Sequence, residues 1–328
     1  MLPVLVALAL LFDFLNGIHD SSNIVATVIS SRALHPRLAM LLAALAHLSG
    51  PFIFGVAVAT TVGEGLLRSE AIRGNVVIAA LVSAVLWNLL TWYLGLPSSS
   101  SHALIGGLLG AALTSSGLQV VQLPGLTKVV VSLLVSPLLG LIAGYLVMKA
   151  TLFAARGATP RVSSLFRRLQ ILTLIGLGMS HGSNDAQKTM GVITLGLLAA
   201  GRIETFHVPL WVVAASAAAI ALGTFLGGWR LIKTLGGRMF RVQPIHGFTS
   251  QIAGASVILG AALFGGPVST TQVMSSAITG AGAAERLSKV RWGVMRDMAL
   301  TWVLTIPATG ILAALLDLIL SRAFGLFG

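Results

Sequence analysis

The sequence predicts an all-α integral membrane protein, in which two inverted-topology repeats with broken or re-entrant helices surround a site near the middle of the bilayer. Hydrophobic residues make up 56% of the 328 residues and charged residues only 9%, whereas a soluble domain has roughly 25% charged residues. Apolar runs of about twenty residues, the length of a membrane-crossing helix, follow one another along the chain. Two polar motifs recur in the same order in both halves. These observations exclude an ordinary water-soluble enzyme.

The apolar runs account for almost the whole chain. They number about ten, and examples are Leu38–Val62, Val76–Leu96 and Val129–Met148. The first run, within Met1–Gly17, has no basic leader and no small-residue cleavage signal, so we expect it to be retained rather than removed as a signal peptide. No polar stretch is long enough to form a separate soluble domain.

Charged connectors predict the topology. The net charge is +12, but the basic residues stand singly or in small groups between the apolar runs, which is typical of topology signals rather than of nucleic-acid binding. The connector Lys149–Arg168 carries several basic residues and no acidic one, so we expect it to be cytoplasmic. Working outward from this loop places the connector Glu64–Arg73 and both termini outside, in a multi-pass protein of the plasma (inner) membrane.

The same basic loop divides the chain almost in half. We expect a first transmembrane repeat at 1–150, a basic cytoplasmic linker at 151–168 and a second transmembrane repeat at 169–328. Each half then holds an odd number of crossings, so a repeat shared between them must have inverted topology. The chain contains no cysteine, which excludes disulfides and thiolate metal sites.

Two pairs of motifs reveal the repeat. Gly17–Asp20 (GIHD) answers Gly182–Asp185 (GSND). Further along each half, Pro97–His102 (PSSSSH) answers Pro267–Gln272 (PVSTTQ) at nearly the same offset. Two motif pairs in the same order at similar spacing predict that both halves share one fold.

The first motif pair places Asp20 and Asp185 inside apolar segments. An ionised side chain there costs at least a few kcal/mol unless it is compensated. The glycine and polar neighbours of both residues predict a helix that breaks or loosens at membrane depth, which is tolerated only where the backbone lines a cavity or is buried in protein. The surrounding oxygens suit a small hard cation. Asp13 is open to a place near a membrane face or at a helix cap, and His47 and His246 are interpreted as structural or interfacial residues.

The second motif pair begins with Pro97 and Pro267. Each proline stands just before a run of hydroxyl residues and then a run of small residues, which predicts a helix with proline in its first turn and serine or threonine as its cap. The free amides and the dipole of such a helix end attract an anion. The hydroxyl groups add hydrogen-bond donors without adding charge.

These motifs resemble those of the inorganic phosphate transporter (PiT) family. Gly17–Thr27 and Gly182–Gly191 resemble the paired signature of that family, and Pro97–His102 and Pro267–Gln272 resemble its paired proline-serine motif. The resemblance extends from end to end of the chain. It implies an inverted-repeat fold in which both signatures meet near the membrane centre and bind phosphate together with sodium ions or a proton.

The resemblance also implies which residues form the site. The residues expected to bind the substrate are Ser99, Ser100, Ser101, Asn184, Gln187, Lys188, Ser269, Thr270 and Thr271. The residues expected to serve the coupling cation are His19, Asp20, Asn23 and Asp185, of which Asp20, Asn23 and Asp185 are the expected sodium ligands. Apart from bound sodium, no cofactor is expected.

The sequence departs from the family pattern at several of these positions. His19 and Lys188 stand where many members have asparagine, and Gln272 replaces a histidine. In addition, Gln251 stands where glutamate is frequent. We expect Lys188 to replace one coupling cation, so the coupling ion stays open between sodium and a proton.

The predicted function is therefore phosphate transport by cation symport through alternating access, and not an enzymatic activity. The expected partners are inorganic phosphate, sodium or a proton, and the lipid bilayer, with no nucleic acid, and a homodimer is left open. A sulfate or other oxyanion transporter of the same fold is the first alternative, and a passive channel is the second. A hydrolase built from serine, histidine and aspartate is disfavoured because the polar residues come as symmetric pairs.

Overall fold

The computed structural model describes residues 1–63, 65–68, 73–159 and 161–325. Within these residues the chain is helical, apart from connecting segments and an isolated bridge between Leu67 and Val121, so the all-α prediction is confirmed. Part of the connector Glu64–Arg73, which was predicted to lie outside, falls outside the described residues. The helices are α1 (Leu2–Ser30), α2 (Pro36–Phe54), α3 (Ala57–Gly63), α4 (Gly74–Leu94), α5 (Ser100–Ser116), α6 (Leu123–Ala154), α7 (Val162–Ala199), α8 (Leu210–Leu226), α9 (Trp229–Lys233), α10 (Pro244–Leu263), α11 (Thr270–Glu285) and α12 (Trp292–Gly325).

Fewer helices qualify as membrane spans by length and hydropathy than the apolar runs predicted. In the described part of the chain, α1, α2, α4, α6 and α12 qualify, and α8 with α9, bent by 60°, brings the total to 6. Helices α5 and α11 have only 17 and 16 residues. Helices α7 and α10 are long enough, but both bury many polar side chains inside the protein. Helices α5 and α11 therefore fail the length criterion, and the polar residues of α7 and α10 lower the average hydropathy of those helices.

Helices of the first half pack against helices of the second half in equivalent pairs. Helix α5 packs against α4 and α12, and its counterpart α11 packs against α10 and α6. In the same way α1 packs against α8, and α7 packs against α2. This pairwise correspondence is what a two-fold relation between the halves requires. The inverted orientation of the halves and the domain limits at 150 and 168 stay predictions, although α6 and α7 leave only residues 155–161 between them.

The signature helices run without interruption, so the predicted break around Asp20 and Asp185 is wrong. Helix α1 continues through Asp20 and α7 through Asp185, because their polar side chains find partners on neighbouring elements and leave the backbone hydrogen bonds of the helix intact. Glycines Gly17 and Gly182 instead allow close packing. A Cβ atom at Gly17 would lie 2.9 Å from the Thr224 nitrogen of α8, and one at Gly182 would lie 3.0 Å from the carbonyl carbon of His47 in α2.

The helix breaks lie elsewhere, in equivalent places of the two halves. One break separates α2 from α3 at Gly55, where φ is 81°, and another separates α8 from α9 at Gly227, where φ is 74°. These left-handed conformations favour glycine. Extended segments also precede α5 and α11, with Ser99 at ψ 109° and Ser269 at ψ 102°.

Two apolar clusters lie on either side of the polar stretch of α1. Phe12 and Leu15, before that stretch, pack in one cluster with helices α3, α4 and α5. Ile24 and Val25, after it, pack in the other with parts of α2, α7 and α10. The polar residues between 16 and 23 are thus enclosed by hydrocarbon at both ends.

Candidate functional site

The polar residues of both motif pairs meet between α1 and α7. We call this group the polar centre. Every one of its side chains is buried, so their hydrogen bonds must be made within the protein or to a bound ligand. The polar centre consists of Asn16, Asp20, Asn23, Ser99, Ser100, Ser101, Asn184, Asp185, Lys188, Ser269, Thr270 and Thr271.

Helices α5 and α11 begin alike at the polar centre. The side chain of Ser99 accepts a hydrogen bond from the His102 amide at 3.1 Å, and Ser269 accepts one from the Gln272 amide at 3.4 Å, so the predicted serine caps are confirmed. The predicted prolines in the first turn are wrong, because Pro97 precedes its cap residue by two positions. The serine hydroxyl fixes the helix start, and the proline lies in the extended segment, where its missing N–H costs nothing.

The starts of α5 and α11 lie against each other. Gln272 Nε2 lies 3.4 Å from His102 Nε2, and Ser101 donates a hydrogen bond to the Val268 carbonyl at 3.0 Å. The first-turn amides of a helix have no acceptor within the helix, and its dipole places partial positive charge there. Two such ends in contact, surrounded by hydroxyl groups, can bind an oxyanion.

On the α1 side, Asp20 is held by neutral donors. Its Oδ1 atom accepts hydrogen bonds from Asn23 Nδ2 at 2.9 Å and from Thr270 Oγ1 at 3.2 Å. Asn23 also donates to Thr271 Oγ1 at 3.0 Å. Two oxygens, Asp20 Oδ2 and Asn23 Oδ1, are buried and have no hydrogen-bond partner among the described residues. This side therefore presents free oxygen ligands.

On the α7 side, a lysine takes the place of the asparagine. Lys188 Nζ donates to Asp185 Oδ1 at 2.5 Å, to Ser101 Oγ at 2.6 Å and to the Val268 carbonyl at 2.8 Å. A carboxylate, a hydroxyl and a backbone carbonyl are the kinds of oxygen that a hard cation takes as ligands. The ammonium group thus satisfies a set of oxygens that would suit a metal cation.

Two side-chain amides connect the signature helices to the starts of α5 and α11. Asn184 donates to the Gly266 carbonyl at 3.1 Å and accepts from the Val268 amide at 3.3 Å. Asn16 accepts a hydrogen bond from the Ser100 hydroxyl. Both helix starts are therefore positioned directly by side chains of α1 and α7.

Two predicted site residues point away from the polar centre. Gln187 donates to the Gly55 carbonyl at 2.5 Å and accepts from the Val58 amide at 2.8 Å, so it bridges the break between α2 and α3. His19 contacts the Leu15 carbonyl at 3.0 Å and Thr91 of α4 at 3.5 Å. The structure brings the other predicted site residues together.

The sequence interpretation missed two histidines beside the aspartates. One ligand atom from each of Asp20, His47, His181 and Asp185 lies within 4.8 Å of the others, and all four residues are buried. His47 therefore lies buried beside the two aspartates. Nothing in the sequence around His47 connects α2 to the signature helices, whereas the spacing of His181 and Asp185, four residues apart on a helix, indicates that they share a face.

Asp13, which was expected near a membrane face or at a helix cap, is buried within α1. The residue lies inside the helix and is therefore not a helix cap. Its Oδ1 atom accepts a hydrogen bond from Thr189 Oγ1 of α7 at 2.6 Å. This bond ties α1 to α7 beside the polar centre.

Comparisons with known proteins match the chain to phosphate transporters over nearly its whole length. A sequence model of the "Phosphate transporter family" matches residues 16–156 and 149–313. Two bacterial relatives share the description "Probable low-affinity inorganic phosphate transporter". The protein from Rhizobium meliloti is 42% identical over 317 residues, which cover 96% of this chain and 95% of the relative. The protein from Bacillus subtilis is 39% identical over 325 residues, which cover 98% and 97%.

A solved structure has the same fold. It is titled "The sodium-dependent phosphate transporter", and it matches with a TM-score of 0.88 at 24% identity, over 98% of this chain and 99% of that one. The relatives are named as transporters, which confirms the prediction that the chain is not an enzyme. The matches span nearly the whole chain, in which long apolar helices form a multi-pass membrane protein. The chain belongs to the phosphate transporter family.

Proposed function

We propose that the protein carries inorganic phosphate across the membrane by cation symport through alternating access. The observation that carries this proposal is the meeting of two capped helix starts, at α5 and α11, beside the buried carboxylates Asp20 and Asp185. An anion site at the helix starts and a cation site at the carboxylates would lie side by side there. The relatives described as inorganic phosphate transporters support phosphate as the substrate.

The phosphate would bind at the starts of α5 and α11. First-turn amides and the hydroxyls of residues 99–101 and 269–271 supply donors for its oxygens. Near neutral pH part of the phosphate is HPO₄²⁻, which keeps a proton to donate, and a carboxylate such as Asp20 or Asp185 can accept it. Sulfate has no such proton, so this contact favours phosphate over sulfate.

The negative charges at the site provide a reason for cation coupling. A divalent anion beside two carboxylates is repelled unless cations bind with it. The free oxygens Asp20 Oδ2 and Asn23 Oδ1 fit a sodium ion, which takes oxygen ligands as other hard cations do. On the other side Lys188 already supplies a fixed positive charge to Asp185. We therefore assign the exchangeable cation to the α1 side and regard Lys188 as a built-in replacement for a second one.

The packing of the helices supports alternating access. The polar centre is buried between two apolar clusters, so the described conformation is closed around the site. Because α5 with α12 and α11 with α6 form equivalent pairs, two conformations that exchange the roles of the halves would open the site to opposite sides of the membrane.

Uptake into proteoliposomes tests this function. The purified protein is reconstituted into liposomes, and a sodium gradient and a proton gradient are imposed separately. Labelled phosphate should accumulate against its own gradient under at least one of them, which identifies the coupling ion. Equilibration without accumulation under both gradients would indicate a channel and contradict symport. Unlabelled sulfate is the competitor control, and stronger competition by sulfate than by phosphate would contradict the substrate assignment.

A further inference from the structure

We propose that Asp20, His47, His181 and Asp185 form a binding site for a divalent transition-metal ion such as Zn²⁺ or Co²⁺. The four residues come from three helices, α1, α2 and α7, and one ligand atom of each lies within 4.8 Å of the others. Each side chain is at most 1% exposed. This site is distinct in chemistry from the proposed sodium ligands, because two of its four donors are imidazole nitrogens.

The free atoms of these residues are those that a metal would use. Asp20 Oδ2, Asp185 Oδ2, His47 Nε2 and both ring nitrogens of His181 are buried without a hydrogen-bond partner among the described residues. Unpaired polar atoms at this depth cost free energy. A cation bound among them would satisfy them together.

The other polar atoms of the same residues are held in place. Asp20 Oδ1 accepts from Asn23 and Thr270, and Asp185 Oδ1 accepts from Lys188. In each carboxylate Oδ1 is thus held by the protein, and Oδ2 has no hydrogen bond among the described residues. Asp185 Oδ2 lies 3.6 Å from His181 Nδ1, another ligand atom of the proposed site. Metal ligands are oriented by such outer contacts in known metal sites.

The tautomer of His47 follows from its contact with Thr224. The Thr224 hydroxyl donates its proton to the Ile220 carbonyl at 2.9 Å, so toward His47 Nδ1, at 2.8 Å, it acts as the acceptor. Nδ1 therefore carries the ring proton, and Nε2 presents its lone pair. A neutral imidazole with a free lone pair is the form that binds a metal.

The donor set selects the class of metal. Imidazole favours zinc, cobalt and related ions, whereas Mg²⁺ and Na⁺ prefer oxygen ligands alone. In a tetrahedral zinc site the ligand atoms lie roughly 3.4 Å apart, given metal–ligand distances near 2.1 Å. The present spread of up to 4.8 Å would therefore have to contract by up to about 1.4 Å on metal binding, which requires the side chains to move toward the ion. Since Asp20 Oδ2 serves both sites, a bound metal would exclude the proposed coupling cation.

Titration of the purified full-length protein with Co²⁺ and Zn²⁺ tests the site without any transport measurement. In chelator-treated detergent buffer, Co²⁺ should bind stoichiometrically with the strong visible absorption of a four-coordinate ion, and Zn²⁺ should displace it while Mg²⁺ should not. The double variant His47→Gln, His181→Gln should weaken binding by about 100-fold or more, because loss of an outer partner alone costs 10- to 100-fold. His207→Gln, in an exposed loop, is the matched control and should bind as the wild type does.

A second pair of variants keeps the test valid if the double variant fails to fold. Thr224→Val removes the acceptor of the His47 proton and should weaken Co²⁺ binding by about 10- to 100-fold, whereas Thr224→Ser should preserve it. Absence of stoichiometric Co²⁺ and Zn²⁺ binding to the folded wild type would overturn the proposal. Equal binding by the wild type and a folded double variant, or by both Thr224 variants, would overturn it as well. Phosphate uptake that persists in a protein without metal binding would leave the proposed transport function standing.

Discussion

The α1 and α7 sides of the polar centre each contain a buried aspartate, but different groups compensate its charge. On the α1 side, Asp20 is held by the neutral side chains of Asn23 and Thr270. There Asp20 Oδ2 and Asn23 Oδ1 have no hydrogen-bond partner in the described part of the chain. On the α7 side, Asp185 is neutralised by Lys188, which also fills the contacts with Ser101 and the Val268 carbonyl. Under the proposed function, equivalent backbone positions would carry an exchangeable cation site in one half and the covalently attached ammonium group of Lys188 in the other.

The largest expected effects come from neutralising each aspartate. Asp20→Asn and Asp185→Asn should both reduce coupled phosphate uptake to background, because each removes a negative charge that balances a cation. Their effects on stability should differ. Asp185→Asn leaves the Lys188 ammonium buried without a counter-charge, at a cost of about 3–5 kcal/mol. Asp20→Asn keeps an Oδ1 atom that can still accept from Asn23 and Thr270, so its cost in stability should be smaller.

Proteoliposome uptake and thermal unfolding of the purified variants check this difference. Thr194→Val is the control for substitution in α7, because Thr194 is uncharged and as deeply buried as the aspartates. Wild-type uptake by both aspartate variants would remove them from the site. Equal loss of stability in both would contradict the difference in charge pairing between the two sides.

An intermediate effect is expected at the helix caps. Ser99→Ala and Ser269→Ala each remove a cap worth about 1 kcal/mol, and an equal loss of binding free energy would weaken phosphate binding about fivefold. The shorter contact of Ser99, 3.1 Å against 3.4 Å, predicts the larger loss for Ser99→Ala. The measurement is the KM for phosphate. Ser275→Ala is the control, since that hydroxyl bonds within α11 to the Thr271 carbonyl, and a KM change as large as that of the caps would argue against a special role for the helix starts.

The smallest effect on phosphate recognition is expected at Gln187. Gln187→Ala leaves the Gly55 carbonyl and the Val58 amide without their partner, which should destabilise the α2–α3 break by about 1–3 kcal/mol. The KM for phosphate should stay close to that of the wild type, because the side chain lies away from the polar centre. A large rise in KM with unchanged stability would restore Gln187 as a substrate ligand.

Local patterns in the sequence predicted the parts of the site that depend on neighbouring residues. The hydroxyl caps of α5 and α11 follow from runs of serine and threonine placed between a proline and a run of small residues. The buried pair Asp20 and Asp185 follows from acidic residues in apolar runs. The continuity of α1 could not be predicted in this way. Polar residues there are satisfied by partners hundreds of positions away in sequence, such as Thr271 for Asn23.

Side-chain direction and tertiary packing explain why the sequence did not predict the contacts of Gln187 and His47. Gln187 follows Asp185 by two residues, which is about 200° around a helix, so the two cannot face the same site although both belong to the motif. His47 stands alone in α2, and its place beside the aspartates depends on the close approach of α2 to Gly182 of α7. Such approaches are set by tertiary packing and leave no pattern in the sequence near His47.

The most direct test of the account is the ratio of cation to phosphate transported by the wild type and by Lys188→Asn. The ratio is measured as the reversal potential of phosphate flux in proteoliposomes under known cation gradients. Replacing Lys188 with asparagine gives the α7 side the same residue type as Asn23, beside a free carboxylate, a hydroxyl and a carbonyl. If Lys188 replaces a cation, the Lys188→Asn variant should carry an additional cation with each phosphate. An unchanged ratio in a folded, active variant would contradict the role of Lys188 as a built-in cation.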